Sequence, residues 1–344
     1  MPIMDIKIIP VSEMADFVGG LLKLQKVLAP VRRDGVCVYD WLASPAEFDL
    51  TCAIPRISAK DALLPRTEIL FRYRLEKDKE EIIPPPAPQP QTLLGLHVCD
   101  IRAINVLDAV FSAEQAPDQP YLARRALTTL IGRGSLEDVP AVFFLDLGID
   151  PLDNKDCDLF LVPLGPERYA LEIITDKGRA LAPSYQCFKN ASSEDLVLIA
   201  ETRRQSAAKI KKGFDLERLG AKLEKIFDSA IWDHAHEKCV GCGVCAFLCP
   251  TCHCFDIQEE TRGKEGSRVR VWDTCQFDLF TRHVSGHNPR SSQKARARQR
   301  IMHKFCYGIN RFKIPFCVGC GRCVNYCPVN NDLRIILKEI QEMP

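Results

Sequence analysis

Cys239-Val240-Gly241-Cys242-Gly243-Val244-Cys245-Ala246-Phe247-Leu248-Cys249-Pro250 is echoed by Cys317-Val318-Gly319-Cys320-Gly321-Arg322-Cys323-Val324-Asn325-Tyr326-Cys327-Pro328. Both runs read C-x2-C-x2-C-x3-C-P. Two-residue gaps let one tight loop aim three thiols at a single small object. Glycines at 241, 243, 319 and 321 let the backbone curl closely and turn its N–H groups toward the same point. The three-residue step starts a short helix that carries the fourth cysteine away, and Pro250 or Pro328 then deflects the chain.

Four soft thiolates converging on a small object suit a [4Fe–4S] cube, and in this spacing the fourth cysteine serves the other run's cluster. The first cluster is therefore assigned to Cys239, Cys242, Cys245 and Cys327, and the second to Cys317, Cys320, Cys323 and Cys249. Structural zinc is the competing reading of C-x2-C pairs, but one zinc site needs only four ligands and no closing C-P.

Working outward, 344 residues suggest two domains with ample chain for a core. Hydrophobic content of 46%, charged content of 26% and a net charge of +1 fit a water-soluble globular protein and give no global case for nucleic acid. Met1 to Phe17 has neither the pattern of a secretory signal nor that of a lipid anchor, and no apolar run is long enough to insert in a membrane. With 17 cysteines, eight of them in metal-type spacing, the chain is expected to be cytoplasmic and oxygen-sensitive.

Residues 1–230 are expected to form one α/β domain. Val18 to Leu28 suggests a helix, and Val36 to Tyr39 a strand after the Asp34-Gly35 turn. The proline-rich linker 84–90 is expected to cross the surface. Leu93 to Val98, Ala141 to Leu147 and Leu159 to Leu164 read as buried strands, and Arg168 to Thr175 as a half-buried one. Asp100 is expected to cap a helix whose Ile101, Ile104, Leu107, Val110 and Phe111 share a face. Helices are expected over 192–212 and 214–231, the latter with an apolar stripe through Leu216, Leu219, Leu223, Ile226 and Phe227. Neither G-x-G-x-x-G nor a P-loop occurs.

Residues 231–344 make the cluster domain, with a long basic insertion over 251–316. From Leu279 to Phe316 there is no Asp or Glu, yet Arg282, Arg290, Lys294, Arg296, Arg298, Arg300, Lys304, Arg311 and Lys313 are present. Compensation of the anionic clusters is the favoured role, over a solvated helix face or nucleic-acid binding, and the same cations also suit docking of an acidic partner subunit. Cys252, Cys254 and Cys275 are either buried thiols or ligands of a third centre, with Cys99 a possible companion. Cys37, Cys52, Cys157, Cys187 and Cys306 read as packing residues. No histidine spacing, carboxylate pair or nucleophile–base arrangement marks a catalytic site on this chain.

Cys249-Pro250-Thr251-Cys252-His253-Cys254, Trp272-Asp273-Thr274-Cys275, Gly286-His287-Asn288-Pro289-Arg290 and Arg300 to Lys304, taken with the second cysteine run, resemble the 4Fe-4S dicluster family. Its members include an iron–sulfur component of anaerobic sulfite reductase, sulfhydrogenase beta subunits and subunits of flavin oxidoreductase–heterodisulfide reductase assemblies. The resemblance is specific over about 239–330 and weaker upstream, in Pro65 to Phe71, Gly95 to Asp100 and Tyr121 with Arg124-Arg125. Val142-Phe143-Phe144 stands where relatives often carry a Cys-Phe-Cys string. The resemblance implies an α+β chain whose C-terminal domain is an α-helical ferredoxin-type fold. It also implies an electron-transfer subunit of an anaerobic oxidoreductase complex. FAD and NAD(P) are then expected on a partner subunit, with further iron–sulfur or catalytic subunits beyond it. Two readings stand against this relay: a reductase with its own site in residues 1–230, and a zinc scaffold.

Overall fold

The computed structural model describes residues 5–77, 79–211 and 213–344. The chain is mixed, 38% helical and 22% strand. Its strands are β1 (Asp5–Pro10), β2 (Lys26–Arg33), β3 (Val36–Trp41), β4 (Thr67–Glu76), β5 (Lys79–Ile83), β6 (Gln91–Leu96), β7 (Thr128–Arg133), β8 (Leu159–Pro163), β9 (Arg168–Ile173), β10 (Lys189–Asn190), β11 (Phe255–Arg262) and β12 (Glu265–Trp272). Eight form one sheet in the order β10-β1-β9-β8-β7-β6-β2-β3. Its centre, β2, β6, β7 and β8, is parallel, and the flanking pairs are antiparallel.

Alternation explains why this centre is buried on both faces. Leu93, Leu130 and Phe160 point into one core, with Ile101, Ile104, Leu107 and Phe111 of the helix Val98–Phe111. Leu94, Ile131, Leu159 and Leu161 point into the other, with Met14, Phe17, Val18 and Leu21 of the helix Met14–Leu24. A sheet covered on both sides reads as unbroken apolar runs, which is what β6 to β8 show.

The second sheet, β11-β12-β4-β5, is antiparallel throughout and joins two strands from either side of residue 230. The helices Leu216–Lys225 and Ile231–His236 likewise pack with Ile301, Met302, Phe305 and Leu337. Contacts therefore run across the boundary expected near 230. Among the described residues no helix is long and apolar enough to cross a membrane.

Several sequence expectations shift. The helix expected over 18–28 spans Met14–Leu24, and Val27 and Leu28 belong to β2. Its Gly20 lies against the Ser184 backbone, too close for a side chain. The 192–212 helix is Ser193–Ala208, and Met1–Met4 and Lys212 lie outside the described residues. Ala141 to Leu147 is not a strand but a turn entering the short helix Phe144–Leu147. Its apolar residues are buried by the second cysteine loop rather than by a sheet: Phe143 N–H donates to Gly319 O at 2.8 Å. In the first helical turn after β6, Asp100 is not the cap either. His97 is, its Nδ1 accepting from the Cys99 N–H at 3.2 Å.

That cap predicts an acid sensitivity. Burial, then the Arg133 and Arg322 guanidiniums, lower the His97 pKa from 6.5 to about 3. The folded chain keeps His97 neutral, whereas the unfolded chain takes up a proton below pH 6.5, so stability falls as pH drops from there toward 3. The slope from this residue is ~1.4 kcal/mol per pH unit. Asn caps a helix comparably without titrating, so His97→Asn should flatten the acid limb of the urea midpoint profile while changing little at neutral pH. An unchanged acid slope would show that His97 does not set it.

Candidate metal centres

The two cysteine loops share one backbone. Gly241 and Gly243 have φ of 67° and 75°, and Gly319 and Gly321 have 64° and 71°. Both loops thus take the left-handed conformation twice, and each passes from its second glycine into a short helix, Val244–Phe247 or Arg322–Asn325. These two helices pack on each other. A Cβ on Gly319 or Gly321 would strike the backbone of Phe144 or Ala141, so the 141–147 segment covers the second loop closely.

The fourth cysteine of the second run, Cys327, stands with the first loop. Cys239, Cys242 and Cys245 line a cavity together with Cys327 and Cys323, its walls completed by residues that include Gln276, Arg300 and Ile301. Besides burial, Lys304 acts electrostatically on the Cys317 thiol and Arg322 on that of Cys320, and Cys249 and Cys323 act on both. Of the eight, Cys242 is exposed, Cys239, Cys245, Cys323 and Cys327 are half-buried, and Cys249, Cys317 and Cys320 are buried. Gln293 Nε2 donates to Cys239 Sγ and the Asn331 backbone N–H to Cys327 Sγ, each at 3.2 Å.

Burial pushes the Cys317 and Cys320 thiols up to about 12 and Cys245 up to about 11, so the protein alone disfavours these thiolates. Metal coordination removes such protons. Buried cations point the same way. Lys304 Nζ lies 3.2 Å from Cys249 Sγ and 2.9 Å from Thr251 Oγ1, and Arg300 Nη1 lies 3.6 Å from Cys252 Sγ. Lys60 Nζ donates to the carbonyls of Cys249 and Cys252 at 2.9 and 2.8 Å, 4.1 Å above the Trp272 ring. Burial lowers the pKa of Arg300 and of Lys304, but the surrounding thiols outweigh it and raise both. Arg300 Nη2 is buried without a hydrogen-bond partner. A stranded donor on the wall of a thiol-lined cavity fits an anionic iron–sulfur cluster there.

Six of the nine cations of the insertion divide accordingly. Arg300 and Lys304 face the cysteines, whereas Arg282 and Arg296 pair with Asp278, Lys294 with Asp233 and Arg298 with Asp228. Cluster compensation is thus concentrated in two positions of the segment, and Lys60, from far upstream, carries no sequence signal.

The remaining cysteines fall in three places. Cys254 and Cys275 face each other, and Cys252 faces Cys249. Cys99 instead packs with Cys320, Val318 and Phe144, apart from those three. Among the described residues no group of three His, Cys, Asp or Glu is placed to hold a single metal ion. Cys157 and Cys306 are buried, as packing residues should be, but Cys187 is exposed. Cys37 and Cys52, expected to be packing thiols, are joined as a disulfide with Cα atoms 5.9 Å apart, because the segment after β3 folds back beside it. Of the histidines, His253 and His303 are stacked edge-on against each other and against Phe316.

The chain is 29% identical to sulfhydrogenase 2 subunit beta of Pyrococcus furiosus over 333 residues, which covers 95% of this chain and 96% of that protein. The model of the 4Fe-4S dicluster domain matches residues 238–331, the span holding both cysteine runs and the insertion between them. Over residues 238–331 this chain is similar to the 4Fe-4S dicluster domain family.

Proposed function

We propose that the chain is the iron–sulfur electron-transfer subunit of a cytoplasmic anaerobic oxidoreductase complex. Two [4Fe–4S] clusters are held by Cys239, Cys242, Cys245 and Cys327 and by Cys317, Cys320, Cys323 and Cys249. The observation that carries this reading is the cavity shared by Cys239, Cys242, Cys245 and Cys327, with the unpartnered Arg300 Nη2 beside it. When bound, each cluster accepts or gives one electron. The chain's own groups do the rest: thiolates bind, Gln293 and Asn331 N–H groups soften the sulfur charge, and the buried Lys304 and Arg300 offset it. The similarity to a sulfhydrogenase subunit supports membership of a multisubunit assembly. FAD and NAD(P) would sit on a neighbouring subunit.

A specific contact favours a relay over a reductase with its own substrate site. Open α/β sheets bind ligands outside the carboxyl ends of their parallel strands. Here that position is filled by protein, since Arg322 of the second cysteine run grips Asp100 just after β6, and Gly319 abuts the Phe143–Phe144 segment that follows β7.

Reconstituted with its flavin subunit, the Cys320→Ser variant should pass no electrons onward while flavin reduction by NAD(P)H stays intact. Iron should stand at about eight per chain in the parent, as two cubanes require. Full throughput in Cys320→Ser would defeat the relay, and about twelve iron atoms would add a third cubane at Cys252, Cys254 and Cys275.

A further inference from the structure

Arg300 and Lys304 are four residues apart, where the helix Gln293–Met302 runs into the wider turn His303–Tyr307. Both point inward, but at different cysteines. Lys304 Nζ is held by Cys249 Sγ, Thr251 Oγ1 and, at 3.2 Å, Phe316 O, three acceptors for its three N–H donors, so its charge is fixed in place. Arg300 Nη1 lies 3.6 Å from Cys252 Sγ, and the side chain stands on the wall of the cavity lined by Cys239, Cys242, Cys245 and Cys327 together with Cys323, with Nη2 unpartnered. Among the thiols, Cys245 acts most strongly on Arg300 and Cys249 on Lys304. A cluster gains one negative charge on reduction, and a fixed cation a few ångströms away in a low-dielectric interior favours that reduced form.

We propose that this pair sets the two cluster potentials separately, Arg300 raising that of the cluster on Cys239, Cys242, Cys245 and Cys327, and Lys304 that of the cluster on Cys317, Cys320, Cys323 and Cys249. This division of labour rests on the ligand assignment proposed above. It makes Arg300 and Lys304 positioning residues for the order in which electrons fill the chain. Replacing one cation would change the gap between the clusters, and so the direction in which an electron rests.

An EPR-monitored redox titration of the full, anaerobically loaded chain tests this, with the Cys327→Ala variant identifying which wave belongs to which cluster. Arg300→Gln should lower the reduced-to-oxidised ratio of the first cluster at least tenfold at fixed potential, ~59 mV for a one-electron couple, and move the second far less. Lys304→Gln should do the reverse. Arg300→Lys and Lys304→Arg keep the charge and should restore both midpoints, and Arg298→Gln, which removes only the cation paired with Asp228, should leave both in place. Unmoved midpoints, or equal shifts of both in each variant, would overturn the division. If the glutamine variants lose iron, the charge-keeping pair decides: a tenfold shift in either overturns it, and preserved midpoints support it. A parent chain that takes up no iron would instead strike the ligand assignment itself.

Discussion

Cys327→Ala is expected to cost the chain the cluster whose other three ligands all belong to the first cysteine run. Iron should fall from about eight to about four per chain, with one EPR signal lost and the other kept. Cys249→Ala should remove the complementary signal. The crossing is tested by double variants. Cys242→Ala combined with Cys327→Ala touches one cluster and should lose no more iron than either alone. Cys242→Ala combined with Cys249→Ala touches both and should leave the chain nearly iron-free. Ligation within each run predicts the opposite pattern, so the two arrangements cannot both survive. The reason to expect crossing is geometric: the helices Val244–Phe247 and Arg322–Asn325 pack on each other, and Cys327 lines the cavity of the first loop. The two single losses should also differ in stability. Cys249→Ala takes the sulfur from beside the buried Lys304 ammonium, and leaving a buried charge unpaired costs about 3–5 kcal/mol. Cys327 has a backbone N–H partner in Asn331 and no such charge depending on it.

What can be read from the chain alone follows the range of the forces involved. Cysteine spacing is local, and a loop of three thiols with its glycines is nearly a complete description of its own backbone. The parallel centre is legible for a similar reason, since β6 and β8 are short, apolar and bounded. Ala141 to Leu147 looks the same and is not a strand, because an apolar run records burial and not what buries it. The β11–β12 hairpin escapes the sequence reading although Phe255–Arg262 and Glu265–Trp272 flank a glycine turn; its partner, β4, is nearly two hundred residues upstream, as in the pairing of Val269 with Ile69. Charge compensation is legible for the basic segment as a whole. Which two of its nine cations turn inward depends on helix phase through the wide turn at His303–Tyr307. Lys60 and the Cys37–Cys52 bond arise from tertiary proximity alone.

Asp100→Asn should weaken the whole molecule more than any surface change. Arg322 lies between Cys320 and Cys323, and its guanidinium meets Asp100 in two parallel bonds of 2.9 and 2.8 Å with side chains 1% and 2% exposed. Nε donates to Pro55 O at 2.8 Å, and Tyr39 OH donates to the same carboxylate at 3.3 Å. One ion pair thus ties the second cysteine loop to the start of the helix after β6 and to the segment that follows β3. Asparagine keeps the shape but leaves a full positive charge facing an amide in the interior. Breaking one partner of a buried pair costs about 3–5 kcal/mol, read as a lower midpoint in anaerobic urea unfolding. Arg322→Met should cost a similar amount, since it strands Asp100 instead. The double variant, Asp100→Leu with Arg322→Met, should lose clearly less than the two single losses added, because no uncompensated charge remains. Strict additivity, or an Asp100→Asn change within ~0.5 kcal/mol of the parent, would show that the pair is not what fastens the loop to the sheet.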